Sequence, residues 1–159
     1  MKQKNYQNLT KNTLGKLPVW NLKDLYESPK AKNLNNDLNQ LRKITKKFEK
    51  KYTYKITKLS PSQLLKAIIE LENIDIKIDK IMSYAHLLVA EDGNNEKNKI
   101  FYQQMQEQIT NIASSIVFFS LELNEVSNAK LNKIYADKKL EPYKTVSYTH
   151  LRAHETSGY

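Results

Sequence analysis

The chain of 159 residues contains no cysteine, only three glycines and only four prolines. Without cysteine it can form neither disulfides nor thiolate metal sites, which is compatible with a reducing compartment such as the cytoplasm. So few glycines and prolines leave little material for turns, and this favours a few long helices over many short strands. No apolar run approaches the roughly 18 residues that a membrane span needs. The basic start of the chain is not followed by an apolar segment, so it does not read as a secretory signal.

Apolar residues recur at helical spacing in three stretches of the chain. The first predicted helix covers about 31–52, and the second runs from a capping box at Ser60 to about residue 90. Within it, 74–79 alternates like a strand, but its isoleucines continue the period of the flanking residues. The third predicted helix covers about 94–123.

These helices define the expected fold, which is all-α. The second and third helices would each have about 30 residues and form a long antiparallel hairpin. Shorter helices flank this hairpin, one of them starting at Ser127 or Asn128. An extended N-terminal arm, 17–29, precedes the first helix and contains the only tryptophan, Trp20.

The formal net charge of +9 raises the possibility of nucleic-acid binding. Seven lysines fall in one short stretch: Lys43, Lys46, Lys47, Lys50, Lys51, Lys55 and Lys58. Residues 1–144 contain a single arginine, Arg42, although arginine suits phosphates and guanine edges better than lysine does. Lysine is also abundant together with asparagine and isoleucine when a genome is rich in A and T. We therefore interpret the lysines as a solvated face.

No active site is recognisable in residues 1–144. Their one histidine, His86, is expected on or near the apolar face as a packing residue, since a catalytic zinc usually needs three protein ligands. The carboxylate pairs Glu70/Glu72 and Glu122/Glu125 lie in lysine-rich helices and are interpreted as surface charge. Glycine-rich phosphate loops and nucleophile elbows are absent.

The last fifteen residues, 145–159, differ in composition from the rest, because they contain no lysine, asparagine or isoleucine. His150 and His154 are four residues apart and on a helix could share a metal ion. However, Leu151 stands where the HExxH motif needs glutamate, and Ala153 where the inverted motif needs it. The segment resembles a translated sequencing adapter. We expect 145–159 to be a non-native or disordered tail, and 1–16 to be a disordered basic N-terminus.

Five segments of the intervening chain, 17–144, carry a family resemblance. They are LPVWNLKDLY (17–26), FEKKY (48–52), SYAHLLVAEDGNN (83–95), FFSLELN (118–124) and LEPYK (140–144). In this order and spacing they resemble the N-terminal region of the oligoendopeptidase F group of zinc metallopeptidases. One departure is visible, because the family often has glycine after the FxxxY segment and this chain has Thr53 and Tyr54.

The resemblance implies that 17–144 is the helical N-terminal domain of a cytoplasmic enzyme that hydrolyses short peptides. In the family this domain helps to wall a substrate channel. A later catalytic domain holds zinc with HExxH and a downstream glutamate, and none of these ligands can be placed on a residue of this chain. We therefore expect the chain to be inactive alone, with no catalytic, metal or cofactor-binding residue, and to pair with that catalytic domain. Separation from it should expose apolar residues such as Phe118, Phe119 or Leu121.

Two alternatives remain open. The helices could form a stand-alone module that binds another protein through an exposed apolar stripe. A basic nucleic-acid binder is the second alternative and is disfavoured. A membrane partner is not expected.

Overall fold

The computed structural model describes residues 21–127, Ala129 and Leu131. Of these residues 82% are helical and none is in a strand, which confirms the all-α prediction. The α-helices are α1 (Lys32–Tyr52), α2 (Pro61–Glu91), α3 (Glu96–Ala113) and α4 (Val117–Asn124). Short 3-10 turns occur at Leu22–Asp24, Ile56–Lys58 and Ser114–Ile116. Within this part of the chain we find no helix whose length and apolarity would let it cross a membrane.

Several predictions concern parts of the chain outside the described residues. These are the basic N-terminus 1–16, the first residues of the arm with Trp20, most of the helix predicted after Ser127, the LEPYK segment and the tail 145–159. The arm was predicted to be extended, but its described part is not extended throughout. Residues Leu22–Asp24 form a 3-10 turn, because the side chain of Asn21 accepts a hydrogen bond from the backbone N–H of Lys23 at 3.2 Å.

Helix α2 begins as the sequence predicts. The hydroxyl of Ser60 accepts a hydrogen bond from the backbone N–H of Gln63, and the Gln63 side chain accepts one from the backbone N–H of Ser60. Pro61 occupies the first turn, where its missing N–H costs nothing. The alternating stretch 74–79 is helical, and Ile74 lies in the core with 2% of its surface exposed.

One face of α1 is buried along the length of the helix. Its buried residues are Leu34, Leu38, Leu41, Thr45, Phe48 and Tyr52. The sequence predicts Ile44 on this face, but Ile44 is only partly buried and Thr45 takes the central position. Thr45 can be buried because its hydroxyl donates a hydrogen bond to the backbone carbonyl of Leu41 at 2.7 Å.

Polar contacts show the directions in which the helices run. Asp37 near the start of α1 meets Lys80 late in α2 at 3.1 Å, whereas Lys51 near the end of α1 meets Glu70 early in α2 at 2.6 Å. Helices α1 and α2 are therefore antiparallel.

Helix α1 and the segment from α3 to α4 run in the same direction. Arg42 of α1 donates a hydrogen bond to Gln108 of α3, and further along both segments Phe48 packs against Phe119 of α4. The apolar face of α1 is thus covered from two sides.

The turn between α2 and α3 follows the predicted pattern. Asn95 caps α3, because its side chain accepts hydrogen bonds from the backbone N–H groups of Lys97 and Asn98. The side-chain amide of Asn98 donates to the carbonyl of Leu88 at 2.9 Å, which ties the start of α3 to the end of α2. The two helices pack on each other, while the antiparallel hairpin over its full length stays a prediction.

The third predicted helix, of about 30 residues, forms over Glu96–Asn124 but is interrupted by a 3-10 turn. Helix α3 ends at Ala113 after 18 residues, a 3-10 turn covers Ser114–Ile116, and α4 adds only eight residues. The hydroxyls of Ser114 and Ser115 donate hydrogen bonds to the carbonyls of Asn111 and Ile112, each at 2.9 Å. Such hydroxyls compete with the regular hydrogen bonds of a helix, which explains the break.

A tight turn follows α1. Thr53 has φ −52° and ψ 131°, Tyr54 has φ 61°, and the N–H of Lys55 donates to the carbonyl of Tyr52 at 3.0 Å. These values correspond to a type II turn, whose third residue is usually glycine because its φ is positive. Tyr54 adopts this conformation despite its Cβ and is 84% exposed.

We expect Tyr54→Gly to stabilise the protein by about 0.5–1 kcal/mol, because glycine adopts positive φ without the steric cost and little buried surface is lost. The measurement is the thermal midpoint, which should rise by a few degrees. Tyr54→Ala keeps the Cβ and is the matched control. Equal midpoints for the two variants would contradict the strain argument.

Candidate functional site

Segments that carry the family resemblance meet each other in the structure. Tyr26, at the end of the arm segment, is 1% exposed, and its ring packs edge-on against Tyr84 of the 83–95 segment with centroids 5.2 Å apart. The Tyr26 hydroxyl donates a hydrogen bond to Asp37 at 2.8 Å. Lys80 contacts the same carboxylate oxygen at 3.1 Å and lies 4.5 Å from the centre of the Tyr26 ring. One cluster thus fastens the arm to α1 and α2.

The environment of this cluster changes the pKa of both acidic groups. Burial raises the pKa of Tyr26, and the hydrogen bond to Asp37 and its charge raise it further, so this phenol stays protonated. Burial also raises the pKa of Asp37, but hydrogen bonds from Tyr26 and Lys80 and the charges of Lys80 and Lys77 outweigh it. The pKa of Asp37 therefore lies below its ordinary value of 3.8. At neutral pH the cluster contains a carboxylate, an ammonium group and a neutral phenol.

The FEKKY and FFSLELN segments also meet. The Phe48 ring lies 5.7 Å from Phe119 and 6.0 Å from Phe118, measured between centroids. Phe119 is 3% exposed, so the prediction that it would be exposed is wrong, whereas Leu121 is 54% exposed as predicted. Phe118 is partly buried against the core.

Glu122, within FFSLELN, holds the turn that follows α1. Its two carboxylate oxygens accept hydrogen bonds from the backbone N–H groups of Tyr54 and Ile56, the latter at 3.1 Å. The interpretation of Glu122 as surface charge is therefore wrong, while Glu125 is exposed. One sequence signal could have identified this role, because Glu122 lies in an apolar stretch with no lysine one helical turn away on either side.

The other residues considered from the sequence are dispersed. Glu70 is not only surface charge, since it accepts hydrogen bonds from Lys51 and from the hydroxyl of Tyr52, whereas Glu72 is exposed. His86 was predicted on or near the apolar face as a packing residue, and the structure does not place it there. It is exposed, and its ring is 6.2 Å from that of Tyr102. All seven lysines of the basic stretch are exposed. His150 and His154 lie outside the described residues.

A groove of about 310 Å³ lies between α1 and the segment formed by α3 and the turn that follows it. It is lined by Arg42, Thr45, Lys46, Glu49, Gln108, Asn111, Ile112 and Ser115. Arg42 spans the groove, because it donates hydrogen bonds to Asn39 at 3.1 Å and to Gln108 of the opposite helix. Sequence reasoning did not identify this groove, since its two walls are 66 residues apart in the chain.

In the described part of the chain, no three or more histidine, aspartate or glutamate residues are grouped so that they could hold a metal ion. Neither models of protein families, nor curated proteins, nor solved structures match this chain. The relationship to oligoendopeptidase F therefore rests on the sequence motifs and stays a prediction.

We expect Glu122→Gln to destabilise the fold by about 1–2 kcal/mol, because the amide offers one acceptor where the carboxylate offers two and turns an N–H donor toward a backbone N–H. Urea unfolding would measure the loss. Glu125→Gln, three residues further on at an exposed position, should change stability by less than about 0.5 kcal/mol. A similar effect of both substitutions would show that Glu122 does not hold the turn.

The Asp37 cluster predicts a loss of stability in acid. Because the folded-state pKa lies below the unfolded one, the carboxylate stabilises the fold above the unfolded pKa. This contribution disappears as the pH falls through the lowered folded pKa. Asp37→Asn should therefore destabilise the protein at neutral pH and flatten the fall in unfolding free energy below about pH 5. Asp24→Asn, at an exposed position, is the control. An equal flattening in this control would contradict the assignment of the acid-dependent stability to Asp37.

Proposed function

We propose that residues 17–144 are the N-terminal helical domain of an oligoendopeptidase F-like zinc metallopeptidase of the cytoplasm. In this proposal the parent enzyme hydrolyses oligopeptides with a zinc-activated water. The helices described above wall its substrate channel, and the HExxH motif and its zinc belong to a catalytic domain that this chain does not contain. The remainder of the parent enzyme is the domain's partner.

One observation carries the proposal. Segments of the chain that were grouped only because they resemble motifs of one family are in contact with each other in the fold. The arm reaches the 83–95 segment through Tyr26 and Tyr84, at a centroid distance of 5.2 Å. The FEKKY segment reaches FFSLELN through Phe48 and Phe119, and Glu122 binds the turn directly after FEKKY. The motif residues thus work as packing and turn-binding residues. This is the role expected of a wall domain that carries no chemistry of its own.

The exposed apolar side chains of α4 favour a second candidate function. Val117 and Leu121 lie one helical turn apart and are 50% and 54% exposed, on a helix that is apolar on most sides. A helix of this kind is usually covered. In the first proposal the catalytic domain would cover these residues. In the alternative, a stand-alone interaction module, a separate protein would do so.

Resequencing the gene across the codons for Leu140–Tyr159 would separate the two candidates. A reading frame that continues past Lys144 into an HExxH-containing region supports the peptidase. Its full-length product should then cut an internally quenched peptide with zinc present and lose this activity with a chelator. The 159-residue chain alone is the matched control and should not cut the peptide. A stop codon confirmed after Tyr159, or a full-length product that stays inactive with zinc, would contradict the peptidase proposal.

A further inference from the structure

The groove between α1 and α3 contains a guanidinium group whose charge no described carboxylate neutralises. The described ion pairs involve Lys51, Lys80 and Lys99, and none involves Arg42. Arg42 instead donates hydrogen bonds to two neutral amide oxygens, those of Asn39 and Gln108. These amides fix the orientation of the guanidinium across the two helices without compensating its charge.

This arrangement leaves Arg42 able to bind an anion. A guanidinium has five N–H donors in a planar fork, and the two amide oxygens engage only two of them. Lys46, one turn further along α1, is exposed and lines the same groove. The volume of about 310 Å³ is at the lower end of the range for small-ligand sites. The groove is therefore large enough for one polar group of a ligand and the ligand atoms next to it.

The charges around the groove favour a single carboxylate over a chain of phosphates. Glu49 lines the same groove and lies seven residues after Arg42, roughly 10 Å further along the helix axis. A nucleic-acid strand in the groove would bring a second negative charge toward Glu49. A lone carboxylate would pair with Arg42 in a bidentate manner and avoid this repulsion. We propose that the α1–α3 groove binds a peptide through one carboxylate, held by Arg42 with Lys46 beside it.

The composition of the chain provides a site-specific measurement. Its only arginines are Arg42 and Arg152, so a nitrogen-15 NMR spectrum of the whole chain should show two Nε–Hε signals, and Arg42→Gln identifies one of them. The probes are three pentapeptides: acetyl-AAEAA-amide, acetyl-AAQAA-amide and acetyl-AAAAA with a free carboxylate. We expect a saturable shift of the Arg42 signal with one or both carboxylate peptides. The first and third peptides distinguish a side-chain carboxylate from a C-terminal one.

Gln108→Glu tests the proposal by a change of charge in the groove wall with almost no change of side-chain size. The new carboxylate would stand within hydrogen-bond reach of Arg42 and neutralise it permanently. The variant should fold at least as stably as the parent chain but bind the carboxylate peptide about tenfold more weakly, the effect of losing one charge-assisted hydrogen bond. Gln103→Glu adds the same charge at an exposed position of α3 outside the groove and should change the affinity less than about twofold.

Lys46→Gln and Lys66→Gln form a second matched pair, since both remove one exposed lysine and only the first lies in the groove. Lys46→Gln should weaken binding by more than Lys66→Gln does. A shift with the glutamine peptide as large as that with a carboxylate peptide, or no shift with either carboxylate peptide, would overturn the proposal. Equal weakening by Gln108→Glu and Gln103→Glu would also overturn it. Displacement of the peptide by an equal concentration of a single-stranded oligonucleotide would overturn the choice of a carboxylate. None of these results bears on the proposed peptidase relationship.

Discussion

The buried face of α1 is the surface on which the other helices are arranged. Helix α2 runs against it in the opposite direction, and the segment from α3 to α4 runs along it in the same direction. Leu41 and Thr45 at its centre are 0% and 1% exposed. Removing a large apolar side chain from such a position typically costs about 2–5 kcal/mol, because the cavity collapses only partly. The arm and the turn after α1 are then fixed by specific polar contacts at the two ends of this face.

The sequence was sufficient for features that depend on local patterns. The capping box at Ser60 and the cap at Asn95 are written in neighbouring residues, and both form as predicted. The apolar period identified α1 and α2 nearly to the residue. It could not identify the end of α3, because the apolar spacing continues through Ser114 and Ser115 while their hydroxyls interrupt the helical hydrogen bonds. Thr45 was missed for a related reason, since its burial depends on a hydrogen bond and not on hydrophobicity.

Features built from distant residues were beyond the reach of sequence patterns. Glu122 binds a turn 66 and 68 residues away, and Arg42 meets Gln108 across the same separation of 66 residues. The apolar neighbours of Glu122 distinguish it from a solvated charge, but no local pattern indicates which distant backbone groups it binds. The resemblance helped here only in part, because it drew attention to the segment that contains Glu122 without indicating its role. It also identified the position after FEKKY, where Tyr54 adopts a backbone conformation that favours glycine.

The position of the lysines at the end of α1 has an electrostatic consequence of its own. The aligned peptide dipoles of a helix place about half a negative charge at its C-terminus. Lys50 and Lys51 occupy the last turn of α1, and the ammonium group of Lys55 donates a hydrogen bond to the backbone carbonyl of Lys51 at 3.0 Å. Each can interact favourably with this partial charge, by about 0.3–1 kcal/mol at low ionic strength. Part of the basic stretch that suggests a polyanion site therefore lies where the helix's own field stabilises positive charge.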